Sequence, residues 1–377
     1  MAGSGASLNL LANGRDNNLN LLRIVAATAV LISHSFVLAT GDSDTEPLVR
    51  WIGMSLGELA VCAFFVASGF LVTASICKSR DPLDFIVARC LRIFPALLVL
   101  ILITVFVVGP IVTTTSIGDY FGFQAGVYLV KCVTLLGGVS TKLTGVFEAN
   151  PYKAAVNGSL WTLPWELRCY VVLLMLWGVA KGLRKFRLRL RWGGSGEAFL
   201  ALTAGSGFVL YCVWLDLSRT NAHAAHSVLA VTMFAMGSMM WQLRSRIFLS
   251  WYGAILALTS LCVAQLLSLS VFRVLLPFAL AYVVMYFAFV PRGVFRKYNL
   301  VGDYSYGMYL YAFPIQQMLA MAWQGIKPIE MVAVSFLCTL LCAIPSWRWI
   351  EKNAVRTKVQ IMGRIRPLPH QSAVGNV

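Results

Sequence analysis

The chain has 377 residues, of which 59% are hydrophobic and 12% charged, and its mean hydropathy is +0.75. No soluble globular domain of this length needs so apolar a composition, so an aqueous enzyme or binding module is excluded in favour of an integral membrane protein. The formal net charge of +16 would suit nucleic acid only if the charges shared one soluble face; they lie in short blocks between apolar runs, which orients a polytopic chain, and no nucleic-acid partner is expected.

Residues 1–18 are polar and lack the charged, then apolar, then small-residue order of a signal peptide, so they read as an N-terminal tail and the first apolar segment as a true span. Runs of roughly 20 apolar residues, the length a bilayer core demands, occur at 20–40, 57–77, 94–112, 160–180, 197–216, 227–243, 247–267, 272–290, 304–324 and 330–348. The fold class expected is therefore an all-α polytopic bundle of about ten spans, occupying residues 19–353 and followed by a basic cytoplasmic tail, 354–377. With the N-terminus inside, the blocks KSRDPLDFIVARCLR, KGLRKFRLRLR and PRGVFRKYN and the tail all face the cytoplasm, and the great majority of the 31 Lys and Arg fall on that side.

Residues 119–139 are apolar enough to cross, yet crossing there would export KGLRKFRLRLR. A re-entrant or interfacial segment keeps that charge inside, and Gly122, Gly126, Gly137 and Gly138 suit non-helical backbone buried in protein. The loop STKLTGVFEANPYKAAVNGS is then the longest external stretch, a lid or an acceptor surface; its Asn157-Gly158-Ser159 matches a glycosylation sequon, a pattern too short to carry weight. The nine cysteines lie mostly inside apolar runs, show no CxxC pair and read as small hydrophobes. No internal repeat is visible, which counts mildly against a secondary transporter.

The first span carries two ionisable residues, Arg23 and His34. Eleven positions on an α-helix amount to three turns plus roughly 20° and about 16 Å of rise, so the two share a face with Ala27, Val30 and Leu31 but cannot touch. Arg23 lies near the cytoplasmic interface, where it could snorkel. His34 falls in the outer half of the span, where an ionisable group marks function by default; a neutral histidine bonded between helices is the structural alternative.

Ordered motifs then accumulate: Arg23 and His34 as R-x10-H, FFVASGFL (Phe64–Leu71), RCLRIFP (Arg89–Pro95), NGSLWTLPWELRCY (Asn157–Tyr170), GDYSYGMYLYAFP (Gly302–Pro314) and WRWIEKN (Trp347–Asn353). Each is weak alone. In series they resemble the membrane-bound acyltransferase-3 family, whose members modify bacterial surface polysaccharides, lipopolysaccharide, Nod factors and some antibiotics. The resemblance spans about residues 17–353 and implies a bacterial inner-membrane enzyme that moves an acyl group, commonly acetyl, from cytoplasmic acyl-CoA to a carbohydrate hydroxyl, with no permanently bound cofactor. It implies His34 as the catalytic residue with Arg23 as its partner, Arg89 and Arg92 in the basic motif at the donor entrance, Phe64, Phe65, Ser68 and Gly69 in the FFxxSGF motif, and Trp161 and Glu166 in the tryptophan–glutamate stretch. Two departures stand out. Ala312 occupies the place of a histidine that many relatives carry in YLxHxP, leaving His34 as the clear intramembrane histidine, and Asn353 replaces a proline, with an effect expected only on the helix exit.

A thioester is already activated, so the protein must position it, take a proton from the acceptor hydroxyl and stabilise the oxyanion. Neutral His34 is the expected general base, in direct transfer or through a transient acyl-histidine. Arg23 and His34 would bracket the pantetheine arm, with phosphates at Arg23, Arg89 and Arg92, since the guanidinium fork suits phosphate. Ser68 and Gly69 join the donor site, and Trp161 and Tyr309 the acceptor site. Glu166 either orients His34 or bonds to the Trp161 indole or backbone; Trp161 and Trp165 serve as an aromatic platform or as interface anchors.

His223 and His226 have an i, i+3 spacing but no third ligand, and no metal is expected. Asp303 reads as a helix N-terminal charge, and Arg348, Glu351 and Lys352 as an interfacial cluster. The rival reading is a transporter or flippase of a lipid-linked sugar, which leaves the Arg89/Arg92 motif unexplained. The tenth span lies near the end of the sequence, so this protein would complete the transfer itself or hand over to a separate partner.

Overall fold

The computed structural model describes residues 5–14, 16–79, 81–187 and 195–365. Its long helices are α1 (Leu19–Thr40), α2 (Leu56–Lys78), α3 (Pro82–Ile103), α4 (Phe123–Thr134), α5 (Thr162–Arg187), α6 (Ser195–Thr220), α7 (Ala222–Gln242), α8 (Trp251–Leu267), α9 (Leu269–Phe289), α10 (Ser305–Ala322), α11 (Pro328–Pro345) and α12 (Lys352–Ile365). The protein is an all-α polytopic bundle. Among the described residues, eight helical segments are long and apolar enough to cross a membrane. Ten spans are expected from the sequence; the other two segments form α8, a shorter apolar helix, and α10, whose apolarity is diluted by Tyr306, Tyr309, Tyr311, Gln316 and Gln317, and neither is among those eight.

Local chemistry sets the helix ends. Ser55 and Glu58 form a reciprocal capping box that starts α2, Glu58 N–H donating to Ser55 Oγ (3.0 Å) and Ser55 N–H to Glu58 Oε2 (2.9 Å). Asp81 accepts from Leu83 N–H with Pro82 in the first turn, so α3 begins twelve residues before the expected span. Arg89 and Arg92 consequently sit on a helix rather than in a cytoplasmic loop. Gly41 closes α1 at φ +78°, and any side chain there would meet the Pro151 carbonyl.

Two packing contacts organise the core. The polar helix α10 lies against α1 and α11, and Gln316 Nε2 donates both to the Leu31 carbonyl (2.8 Å) and to Ser35 Oγ (2.7 Å), gripping α1 on either side of His34. Helices α2 and α7 approach through reciprocal glycines: a Cβ on Gly69 would strike the Phe234 carbonyl, and one on Gly237 the Val66 carbonyl. Small residues let backbones come this close, gaining packing that apolar lipid cannot supply. Gly237→Leu is therefore expected to abolish the folded protein, seen as loss of the monodisperse peak in fluorescence-detected size exclusion, whereas Gly205→Leu, at a site open around its Cα, keeps it.

Helix α4 accounts for most of the 119–139 segment. Its 12 residues reach about 18 Å, short of a bilayer core, and they bury Ala125, Tyr128 and Cys132 while Phe123 and Val130 are exposed. Gly126 is thus helical, contrary to the expectation of irregular backbone, while Gly137 and Gly138 make a turn at φ +70° and +97°. The loop beyond folds back into the bundle: Leu143, Val146, Phe147 and Val156 are buried, and Asn150 Nδ2 donates to Gln317 Oε1 (2.8 Å). Asn157 is 1% exposed, its Nδ2 donating to the Leu310 carbonyl (3.0 Å) and its Oδ1 accepting from Ser159 N–H (3.1 Å); the sequon is a structural cap.

The segments expected as tails are partly built in. Ala6–Ser7 pair antiparallel with Phe248–Leu249, Leu8 is fully buried, and Asn18 Nδ2 donates to the Phe287 and Pro291 carbonyls. At the other end α11 runs on through a π-turn, Ser346–Glu351, into α12, where a proline at 353 would have removed a backbone donor. Lys358 of α12 pairs with Asp84 of α3 (3.0 Å). Residues 188–194 and 366–377, parts of the two basic blocks, lie outside the described residues.

Candidate functional site

A cavity of about 540 Å³ is enclosed by α1, α2, α3, α5, the start of α10, Trp347 and α12. Its mouth is at the end that the charge bias assigns to the cytoplasm, and it carries Arg23, Arg89, Arg92, Asp303 and Lys358. Asp303 Oδ2 accepts from both Arg23 Nη1 and Arg92 Nη2, at 2.7 Å each, and Arg92 Nη1 also faces Glu351 (3.4 Å), with the Tyr306 and Trp347 rings beside its guanidinium. Burial by itself would raise the Asp303 carboxyl, but the two guanidiniums and Ser305 hold it well below the usual carboxylate range. Arg89 differs: it makes no ion pair among the described residues, its guanidinium lies by the Phe85 and Tyr170 rings, and its buried Nε has no hydrogen-bond partner.

Deeper in, the walls turn apolar with Val61, Phe64, Phe65, Leu71 and Leu163. One polar cluster interrupts them. Glu166 Oε1 accepts from the Tyr170 hydroxyl, its neighbour one turn along α5, and from Ser68 Oγ (3.3 Å). The far end is closed by Thr162 and Tyr309, whose hydroxyls are 2.6 Å apart; the Tyr309 hydroxyl also donates to the Ser159 carbonyl, and its ring meets Phe64 edge-on.

His34 is not on the cavity wall. It is half-buried just beyond that closed end, with Nδ1 3.5 Å from Ser159 Oγ and its ring edge-on to Phe313 at 5.2 Å. Tyr309 and Phe313 are one turn apart on the same face of α10, about 6 Å of rise, so the histidine lies one helical turn past the end of the cavity.

Of the residues singled out from sequence, Arg23, Ser68, Arg89, Arg92, Glu166 and Tyr309 line one cavity. Gly69 does not, because it faces α7 as a packing glycine. Trp161 packs partly buried in the core, and Trp165 carries the Arg168 guanidinium at 4.5 Å, which gives that intramembrane arginine its partner. Among the described residues no hydrogen bond joins Glu166 to His34. Ala312 packs with Ala27 and Leu31 in the α1–α10 contact. His226 pairs with Glu58, the His223 side chain lies outside the described set, and no group of three metal-binding side chains occurs among the described residues. Asp303, Tyr170 and Ser159 enter only with the structure; an acid before YSYG and a serine before WTLPWE were the visible signals, and neither reveals its partner.

A family profile described as an acyltransferase domain matches residues 16–348. The chain is 29% identical over 360 residues to the O-acetyl transferase of Shigella phage Sf6, covering 90% of this chain and 96% of that protein, and 28% identical over 389 residues to Nodulation protein 10 of Rhizobium leguminosarum bv. viciae, covering 94% and 97%. No solved structure matches. The arginine-mouthed cavity and the ordered motifs thus coincide with a profile match over nearly the whole chain, which belongs to the acyltransferase-3 family.

Proposed function

We propose that this multi-pass membrane acyltransferase transfers an acetyl group from acetyl-CoA to a hydroxyl of an exported carbohydrate in the bacterial inner membrane, with His34 as general base. The observation that carries this reading is the gradient within one cavity: a cationic mouth, an apolar shaft, and an end one turn short of an imidazole. Such a shape suits a donor with an anionic nucleotide at one end and a thin arm ending in a thioester. The nucleotide phosphates meet Arg89, whose guanidinium is free to form a bidentate pair, beside Arg23 and Arg92, which Asp303 holds in place. The arm follows Phe64, Phe65 and Leu71, its amides bonding at Ser68 and Glu166, and the thioester passes Thr162 and Tyr309.

With Ser159 beside Nδ1, His34 has Nε2 left to take the acceptor's hydroxyl proton. The alkoxide oxygen bonds to the acyl carbon, the carbon–sulfur bond breaks, and the CoA thiolate leaves and is protonated. The Tyr309 hydroxyl would serve the oxyanion by turning its proton away from the Ser159 carbonyl while Thr162 donates to the Tyr309 oxygen.

The experiment is label transfer from radiolabelled acetyl-CoA, with purified full-length protein in nanodiscs, to glycan or membrane material. Transfer of label supports the reading, and absence of transfer from any acyl-CoA favours glycan transport instead. Arg89→Ala is expected to raise the donor KM about tenfold to a hundredfold, the loss of a charge-assisted contact, with a smaller change in kcat.

A further inference from the structure

The acceptor has to approach His34 from the side opposite the donor cavity, and there the structure presents a built surface. Residues 147–154 form a closed loop, Ala154 N–H donating to the Phe147 carbonyl (2.9 Å), with Phe147 and Ala154 in the left-handed region at φ +56° and +57°. The loop is fastened to α10: Asn150 Nδ2 donates to Gln317, and Gln317 Nε2 donates to the carbonyls of Tyr152 (2.9 Å) and Ala155 (2.7 Å). It is fastened to α1 as well, where Gly41, at the end of the His34 helix, abuts the Pro151 carbonyl.

On this anchored frame the Tyr152 ring stands out, 39% exposed. It meets Phe313 edge-on at 6.3 Å, and Phe313, 4% exposed, meets His34 at 5.2 Å. Three rings therefore run from the surface to the imidazole. Glu148 and Lys153, both exposed on the same loop, add hydrogen-bonding groups to the surface that carries the outer ring. Trp161 and Trp165 are engaged elsewhere, in the core and with Arg168.

We propose that Tyr152 is the stacking platform for a sugar ring of the acceptor, holding it so that a neighbouring hydroxyl reaches His34; this rests on the reading of the protein as a carbohydrate O-acyltransferase. A pyranose offers a face of C–H bonds to an aromatic ring and its hydroxyls to the rim, so stacking buries apolar surface while polar groups stay paired. A ring whose main chain is already tied down loses little freedom on binding.

The test measures acetyl transfer by the full-length protein in nanodiscs from radiolabelled acetyl-CoA to a panel of p-nitrophenyl pyranosides, together with acetyl-CoA hydrolysis. Tyr152→Ala is expected to raise the acceptor KM about tenfold without a matching rise in the donor KM, and Tyr152→Trp to keep the acceptor KM near that of the unaltered protein. The anchoring bond uses the Tyr152 carbonyl, so the substitutions leave the loop's fastening intact. An acceptor KM unmoved by Tyr152→Ala while transfer proceeds overturns the platform alone. Equal rises in both KM values reduce Tyr152 to a structural residue and overturn it too. Hydrolysis that depends on His34 with no transfer to any pyranoside overturns the carbohydrate acceptor and the platform together, and no His34-dependent turnover of any kind overturns the enzymatic reading beneath them.

Discussion

His34→Ala is expected to lower acetyl transfer by about a hundredfold to ten-thousandfold, the range of a lost general base, while the protein remains folded. The fold should survive because α1 is held at Leu31 and Ser35 by Gln316 rather than through the imidazole, and among the described residues the imidazole's hydrogen-bond and ring partners are Ser159, at a long 3.5 Å, and Phe313 edge-on. Thermal unfolding followed by tryptophan fluorescence would show little change, and donor KM little more, since His34 is not among the residues lining the cavity proposed for the nucleotide. Label transfer that persists in His34→Ala would remove the histidine from the chemistry. A rise in donor KM comparable to the fall in kcat would place it in donor binding instead.

Asp303→Leu is expected to destabilise the fold by about 2–4 kcal/mol, the low side of the cost of stripping a counter-ion from a buried pair, because Arg23 and Arg92 retain some exposure. Their side chains are 23% and 18% accessible, against 9% for Asp303. The loss leaves two guanidiniums facing each other across the mouth, with Glu351 beside Arg92 alone. A double-mutant cycle separates this from simple misfolding: Arg23→Leu with Asp303→Leu should be less harmful than the two single losses summed, because the pair is removed together. An additive result would show that Asp303 does not couple the two helices.

The pH dependence has a definite sign. A carboxyl held below its ordinary value contributes stability above the unfolded pKa and loses it as pH falls through the folded one. From about pH 5 to pH 8 Asp303 therefore stays ionised, and a rate titration in that window belongs to another group.

Asp303 also shows how far a sequence can be read. An acid just ahead of a helix is explained by the helix dipole, and nothing in GDYSYG points to arginines 280 and 211 positions away. Glu166 illustrates the same limit: the sequence leaves it between His34 and the Trp161 indole or backbone, whereas its partners are Tyr170 on the same face one turn later and Ser68 from across the bundle. Gly69 sat inside a motif assigned to the donor, yet neighbouring positions on a helix face about 100° apart, so Ser68 looks into the cavity and Gly69 into α7. Arg23 and His34, set three turns apart by the i, i+11 arithmetic, differ in their surroundings: Arg23 lines the cavity and His34 does not, its Nδ1 facing Ser159 instead.

Sequence alone determined the membrane-embedded all-α class and pointed to the family, because apolar run length and ordered short motifs are one-dimensional properties. Only the tertiary structure decided that Arg23 and Arg92 share one carboxylate while Arg89 has none among the described residues, that Tyr309 and Thr162 line the cavity and His34 does not, and that the loop after α4 is packed home with Tyr152 exposed. Those features depend on which faces of distant helices meet, and helix faces meet through packing and buried hydrogen bonds between residues far apart in the chain.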